Sequence, residues 1–507
     1  MAFTPYKPLT LDPNAPNLSR TAKSVVDLLF FFNPKCIPRS LLITPAFTVE
    51  NQIYQFLKNK EQYLSLFYGY NIIQANSIAF RLDKAIAELI DRSIIHIDER
   101  NNIVLSLDSP YTGIQEDQVN SAFSHATRLF DKSLPDLWAT ENPRLGYESF
   151  KASEVVLPHM MRAIEVTRNI KIRPKRKKDW IELVLRAGRY AQENQQPDLS
   201  TYFVDYVLKE HHSPMFGVRM SADFLASTYT LQGHALLDLA QPRAALNVLN
   251  SALNILEDRH GPNSTSVAKA CDSLALAYIE TGDVDKASAF LSRADAIYVD
   301  KAYLHLDSEA GRQKPYVIPR TRAIQSLIDL RAKKLDDAVK CLQHFWRDRE
   351  MRLESVEASP DSNYGGDVML FARICWAQGK AVEAQELASH AITMRRTFYG
   401  PHGGPRVADS LFLVATILED RGFPDIASSV LRKIIDMSEG ESPVLYPHIA
   451  RACWFLARVA ERNGSDAAKV SELRAKAREF RESGRRSEGP VEDTDDAFMN
   501  LVSWMLW

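Results

Sequence analysis

No run in this 507-residue chain approaches the roughly 18 consecutive apolar residues that a membrane span requires; "VVDLLFFF", from Val25 to Phe32, is short and carries Asp27. Residues 1–17 hold four prolines but no apolar core of signal-peptide length, so no secretory signal is read there. Cysteine is scarce. The five residues (Cys36, Cys271, Cys341, Cys375 and Cys453) are odd in number, scattered and without CxxC spacing, which excludes a disulfide framework or zinc cluster and fits a reducing compartment. Charge of one sign is also missing: 62 Lys and Arg against 64 Asp and Glu leave a net −2, removing any general electrostatic case for nucleic acid or an anionic membrane. No G-x-x-x-x-G-K-[ST] occurs, so no loop cradles a β-phosphate beside a partnering lysine. These absences point to a cytoplasmic protein with no membrane partner, metal or cofactor; the nucleus stays open as a second location.

What is present is repetition, which also explains how so long a chain does without a single core. From Ala268, residues Leu274, Ala275, Tyr278, Gly282, Ala287, Leu291 and Ala294 fall at positions 7, 8, 11, 15, 20, 24 and 27 of a 34-residue window. Small residues at 8 and 20 let two antiparallel helices approach, bulky ones at 7, 11 and 24 fill between them, and the glycine breaks the chain between helices. Gly233 with Ala245, Ala372 with Ala384, and Ala415 with Ala427 repeat the pattern; Ala457 opens another copy with a looser second helix. "RAIQSLIDLRAKKLDDAVKCL" is a degenerate copy around Ala338, and a further one is read around Gly188.

Position 8 recurs after 42 residues from Gly233, 43 from Ala372 and 42 from Ala415. The excess over 34 is expected to lengthen the second helix and end in a Gly-Pro turn, as in "RHGPNSTSVA" and "YGPHGGPRVA". Period and joint together resemble the long tetratricopeptide repeat of the kinesin light chain type, over roughly residues 226–484. The resemblance implies a right-handed superhelical solenoid of about six repeats whose first helices line a concave groove for a protein or peptide partner. Carried over position by position, that groove comprises Thr230 and His234; Lys269, Asp272 and Leu276; Met369, Arg373 and Trp376; Phe412 and Thr416; Arg451, Trp454 and Arg458. Aromatics beside arginines suit an acidic or C-terminal carboxylate ligand; simple packing of Trp376 and Trp454 within the solenoid is the competing reading.

Residues 18–110 read differently. "SRTAKSVVDLLFFF" is a helix capped by Ser19, "IPRSLL" a short helix, "SIAFRLDKAIAELIDR" an amphipathic helix, and "SIIHID" with "IVLSL" a β-hairpin, an order that suggests a winged helix. Winged helix, helical connector (111–179) and long repeats in that order resemble the C-terminal half of fungal NLR-like signalling proteins, which carry an NB-ARC or NACHT ATPase upstream. The missing phosphate loop means the nucleotide-switch activity does not carry over. The chain is then either an adaptor built from the effector-sensing half or one whose ATPase half is missing from the gene as read.

Chemical candidates are few. His211 and His212 are adjacent, pointing about 100° apart on a helix, and make a poor metal chelate. Ten Lys or Arg against nine Asp or Glu over residues 18–110 make the winged helix a poor DNA binder, so a structural role is expected. The run "KIRPKRKKDW" contributes Lys171, Arg173, Lys175, Arg176, Lys177 and Lys178, either a solvated link or a nuclear-localisation or anion-binding patch. After a polar linker (485–494), residues 495–507 place Phe498, Leu501, Val502 and Met505 on one helical face beside Trp504 and Trp507. Such a stripe is expected to be buried, either capping the last repeat or docking across the array. The resulting expectation is a mainly α, non-enzymatic interaction scaffold with its repeat array over residues 180–484. A regulatory factor using the basic run and winged helix is the alternative, and an uncharacterised enzyme a distant third.

Overall fold

A computed structural model describes residues 18–38, 72–105, 116–134, 143–169, 177–212, 220–306, 320–348, 364–399, 403–437, 443–484 and 492–504. The chain divides into two compact units, one comprising residues 1–190 with 209–218, the other 191–208 with 219–507.

The first unit begins with α1 (Arg20–Leu29), whose N-cap Ser19 accepts a hydrogen bond from the Ala22 amide at 3.2 Å, as the sequence leads one to expect. The strand β1 (Ile37–Pro38), helix α2 (Ile72–Asp91) and strands β2 (Ile95–Ile97) and β3 (Asn102–Leu105) follow. The expected hairpin forms, with Ile95 opposite Leu105 and Ile97 opposite Ile103. Its turn is held by Asp98, which accepts from the Arg100 amide at 2.9 Å and the Asn102 amide at 2.7 Å. One expectation is corrected: Ile37 and Pro38 are not helical but pair with Ile103 and Asn102, giving an antiparallel sheet of order β1-β3-β2. Proline, lacking an N–H, is tolerated on this edge strand, whereas Ile37 buries its side chain completely. Helices α3 (Glu116–Ser133), α4 (Pro143–Asn169) and α5 (Lys177–Glu193) come next. The aromatic run after α1 forms the core: Phe31 lies 5.4 Å from Phe123, Phe32 5.0 Å from Phe130, and Phe123 5.1 Å from Trp180, ring centre to ring centre.

Helix α6 (Pro197–His212) precedes a series of helix pairs in the second unit. They are α7 (Ala222–Asp238) with α8 (Pro242–His260), α9 (Thr265–Thr281) with α10 (Val284–Leu306), and α11 (Thr321–Arg331) with α12 (Leu335–Asp348). Then come α13 (Tyr364–Ala377) with α14 (Ala381–Tyr399), α15 (Pro405–Asp420) with α16 (Pro424–Asp436), and α17 (Tyr446–Arg462) with α18 (Ala467–Ser483). The mainly α, tetratricopeptide-type solenoid is therefore realised, and its physics is visible at position 8. A Cβ built on Gly233 would meet Leu249 Cδ2 at 2.5 Å, so the close approach of α7 and α8 requires glycine there. In the degenerate copy the same position is Ser326. Its buried hydroxyl donates to the Ala338 carbonyl at 2.7 Å, so the polar group costs little despite full burial.

The joint inside each pair follows one rule. The residue seven places after position 8 adopts positive φ at Ala240 (55°), Gly282 (81°), Lys333 (61°), Gly379 (79°), Gly422 (80°) and Gly464 (70°). Each time, the next amide bonds back across the helix end, as from Asp283 to the Tyr278 carbonyl and from Lys334 to that of Asp329, the Schellman closure that satisfies orphan carbonyls. Gln195 (60°) repeats the geometry at the end of α5, at the same offset from Gly188. Between pairs, the lengthened second helix is present in α8, α10 and α14, of 19, 23 and 19 residues. Helix α16 has only 13, and the interval is made up after it, where a 3-10 turn at Pro443–Leu445 leads into α17. "GPNSTS" is a joint: Gly261 ends α8 at φ 79°, and Ser264 caps α9 by accepting from the Val267 amide.

Candidate functional site

The first helices of the pairs carry the ionic groups. At the centre is Asp409 on α15, 1% exposed, which accepts from Arg373 Nη2 on α13 and Arg451 Nη2 on α17, both at 3.1 Å. Burial would push this carboxyl up, but the guanidiniums of Arg373, Arg451 and Arg395 outweigh it and hold it below its ordinary range. Arg395, fully buried, donates from Nη1 to the Arg406 carbonyl at 2.6 Å and to Ser410 Oγ at 2.8 Å. About three turns farther along α15, Glu419 accepts from Arg458 and Arg462, and Asp420 accepts from Trp376 Nε1 at 3.0 Å.

The expected groove residues divide into three groups. Arg373, Trp376, Trp454 and Arg458 are partly exposed on first helices and ion-paired or hydrogen-bonded, while Leu276 packs half-buried against the core. Met369, Phe412 and Arg451 are buried, so their side chains are taken up by the interior: Phe412 lies 5.2 Å from Phe455, with Arg451 stacked on its ring at 4.0 Å. The rest are more polar. Thr230 and Thr416 turn their hydroxyls to carbonyls of their own helices, and Lys269 is exposed. His234 Nε2 meets Ser273 Oγ at 2.9 Å, and burial lowers its pKa. Asp272 accepts from Tyr298 Oη at 3.0 Å and Thr321 Oγ1 at 3.2 Å, with burial raising its pKa to about 6.

Sequence reasoning missed Asp409. It occupies position 2 of its repeat in "RVADSLFLVA", a position the groove template includes, and an acid there between arginines at positions 9 and 2 of the adjacent copies was the available signal. The cationic side chains are thus largely neutralised from within.

Asp493 pairs with Arg478 at 2.6 Å and Arg481 at 3.1 Å on the second helix α18, and residues 494–504 then pass onto the first helices. Thr494 caps α19 (Asp495–Met499), a single turn. Asp495 accepts from Trp454 Nε1 at 2.7 Å and Arg458 Nη1 at 2.9 Å. Phe498, 1% exposed, stacks on Trp454 at 4.1 Å and 9° between planes, and the Arg481 guanidinium sits 4.6 Å from its ring. Farther on, Ser503 Oγ donates to the Leu237 carbonyl on α7, and the Trp504 amide donates to Glu280 Oε2 on α9 at 2.8 Å. The Trp504 ring packs beneath Arg331 of α11 at 4.6 Å and Arg373 of α13 at 5.3 Å. Leu501 and Val502 line a small cavity with Gln195, Asp238, Arg406 and His448. Burial raises the Asp238 pKa to about 6. Met505 and Trp507 lie outside the described residues.

Elsewhere, no cluster of His, Cys, Asp and Glu able to hold a metal exists among the described residues, and no described helix is long and apolar enough to cross a membrane. The rings of His211 and His212 sit edge to face, 5.1 Å apart. In the basic run, Lys177 and Lys178 open α5, with Lys178 exposed and 3.7 Å from Glu182; Lys171, Arg173, Lys175 and Arg176 lie outside the described residues.

Neither the known family profiles nor the curated protein sequences contain a match to this chain. Among solved structures, the chain is similar to the Rap conjugation gene regulator of plasmid pLS20 in complex with the Phr* peptide: 14% identity, 73% of this chain, 92% of that chain, TM-score 0.44. It is also similar to the STAND protein PH0952 with a tetratricopeptide repeat sensor from Pyrococcus horikoshii: 10% identity, 91% of this chain, 63% of that chain, TM-score 0.35. A Podosopora anserina putative kinesin light chain with nearly identical TPR-like repeats matches at 16% identity over 53% of this chain and 99% of its own, TM-score 0.25.

Proposed function

We propose that the chain is a non-enzymatic interaction scaffold that holds a protein or peptide segment against the first helices of its repeat array. The single observation carrying this reading is that first helices of the array already hold a segment of polypeptide. Asp495, Phe498, Ser503 and Trp504 engage α7, α9, α11, α13 and α17 through side-chain and main-chain contacts alike. A surface that takes one such segment, with a carboxylate reader in Trp454 and Arg458 and aromatic platforms beside arginines, has the residue types of a peptide site. The finer elements of the reading are that this face is the concave groove, that the ligand is acidic, and that residues 495–507 dock within the molecule.

Binding rather than catalysis is also favoured by the thiols. Burial pushes the buried Cys271 and Cys375 up to about 11 and Cys453 to about 12, leaving them protonated and poor nucleophiles at neutral pH. The three-stranded sheet beside α1 and α2 supports reading residues 18–110 as a winged-helix module with a structural role.

Site-specific photo-crosslinking tests the scaffold reading. A photoreactive residue at Leu276 or Thr416 is expected to capture a partner in cells, whereas one at the exposed Val382 or Ile426 on second helices is not. Capture from the second-helix positions alone would sink it.

A further inference from the structure

We infer that residues 495–504 are a displaceable resident ligand whose chemistry is that of the partner: a segment with an acidic residue, an aromatic three residues later, and a tryptophan or similar ring six beyond that. This rests on the scaffold reading above and adds to it the identity of the ligand class.

Each receptor group is matched to one of these features. Trp454 Nε1 and Arg458 Nη1 converge on one carboxylate, Asp495, at 2.7 and 2.9 Å. The face of Trp454 takes a flat ring at 4.1 Å, with Arg481 supplying a second contact. Arg331 and Arg373 form a cationic cover over one further ring, the geometry in which guanidinium and indole attract. Glu280 takes a backbone amide rather than a side chain, so this contact reads main chain and not residue type.

Release is built into the same contacts. The helical part of the segment is one turn, and Asp495 is half exposed, so its pairing with Arg458 is a rim contact. Tethering sets the threshold. A segment joined through a short linker acts at an effective concentration on the order of 1 mM, so a peptide whose own Kd is about 10 µM is weakened roughly 100-fold by the resident.

The probe is a fluorescent peptide of residues 494–504, TDDAFMNLVSW, titrated by anisotropy against the full chain. The paired Phe498→Ala/Trp504→Ala variant of the full chain is expected to bind it at least tenfold more tightly than the unaltered chain. A peptide carrying the same two alanines should not bind. Because Phe498 is buried, Asp495→Arg serves as a second variant that leaves the apolar contacts in place; it should also raise affinity. Equal affinity in all three chains, or no binding to any, overturns the proposal. So does a concentration-dependent dimer of the unaltered chain that both variants abolish while the peptide stays inert, since the segment then serves a second copy. The two readings fail separately. An inert peptide with crosslinking still confined to Leu276 and Thr416 removes this ligand class and leaves the scaffold; a bound peptide with no such crosslinking does the reverse.

Discussion

Replacing Asp409 with asparagine removes one negative charge from a site holding Arg373, Arg451 and Arg395 and leaves the shape almost unchanged. Each contact at 3.1 Å is worth about 5 kcal/mol by Coulomb's law at an effective dielectric of 20. Against this stands the desolvation of a carboxylate that is 1% exposed, so the pair as a whole adds little net stability. Removing one partner is different, because the arginines stay buried and lose their counter-charge; the loss is about 3–5 kcal/mol. A repeat array does not unfold in two states, so a global midpoint would blur the effect. Hydrogen exchange in α13, α15 and α17 reads it locally. Protection there is expected to fall by about 150- to 5,000-fold, while α7 and α8 change far less. Urea, which does not screen charge, is the companion denaturant. Replacing the trio together, with Asp409→Leu, Arg373→Met and Arg451→Met, should recover part of the loss, because Arg395 alone then stays buried without this counter-charge. A fall of under tenfold in Asp409→Asn would refute the claim that this carboxylate is what compensates the buried arginines.

The remaining expectations concern backbone, packing and pH. Ala240→Gly and Lys333→Gly each relieve a non-glycine left-handed residue and should stabilise by about 1 kcal/mol in urea melts. Gly233→Ala should destabilise by about 1–3 kcal/mol, because its methyl would lie 2.5 Å from the buried Leu249 side chain and the helices must part. Asp272, raised by burial to about 6, binds a proton more tightly folded than unfolded. Its protonated form supports the fold fully below its ordinary pKa of 3.8, and that support drains away as pH rises through 6. Asp272→Asn should therefore gain up to about 3 kcal/mol over the unaltered chain at pH 7 and nothing at pH 3.5, as compared by melts at the two values.

Much of the array was legible because a close helix crossing admits few residue types. The alanines at 275, 372, 415 and 457 had to be small, and Gly282, Gly379, Gly422 and Gly464 had to turn left, so spacing alone located these pairs. The degenerate copy hid its rule: Ser326 is small enough but polar, and Lys333 turns left without being glycine. For Ile37 and Pro38, a proline near a first turn and a proline on an edge strand look alike until the pairing strand is in place. The ion pairing of the face was harder still. A template marks Arg373 and Arg451 as groove positions, but which acid reaches them depends on helices 36 and 42 residues away in sequence. The tail's amphipathic stripe announced burial, yet its seat on Trp454 and beneath Arg331 follows from folding the whole array, not from local pattern.

The joint "GPHGGPR" has an outcome of its own. A Cβ on Gly404 would meet the Gln195 side chain at 2.8 Å, and the Arg406 amide donates to Gln195 Oε1 at 2.8 Å across 211 residues. Ser503 spans 266 residues to reach Leu237. A solenoid of nearest neighbours can fray from either end like a ladder losing rungs. Two clasps of this length turn the ladder into a ring, and a ring has no free end at which to begin. Closing such long loops adds only about 0.6 kcal/mol per doubling in length, so the clasps are inexpensive for the span they cover. During synthesis the order matters: the α7 and α9 faces emerge early and wait, open, until residues 495–504 have been made.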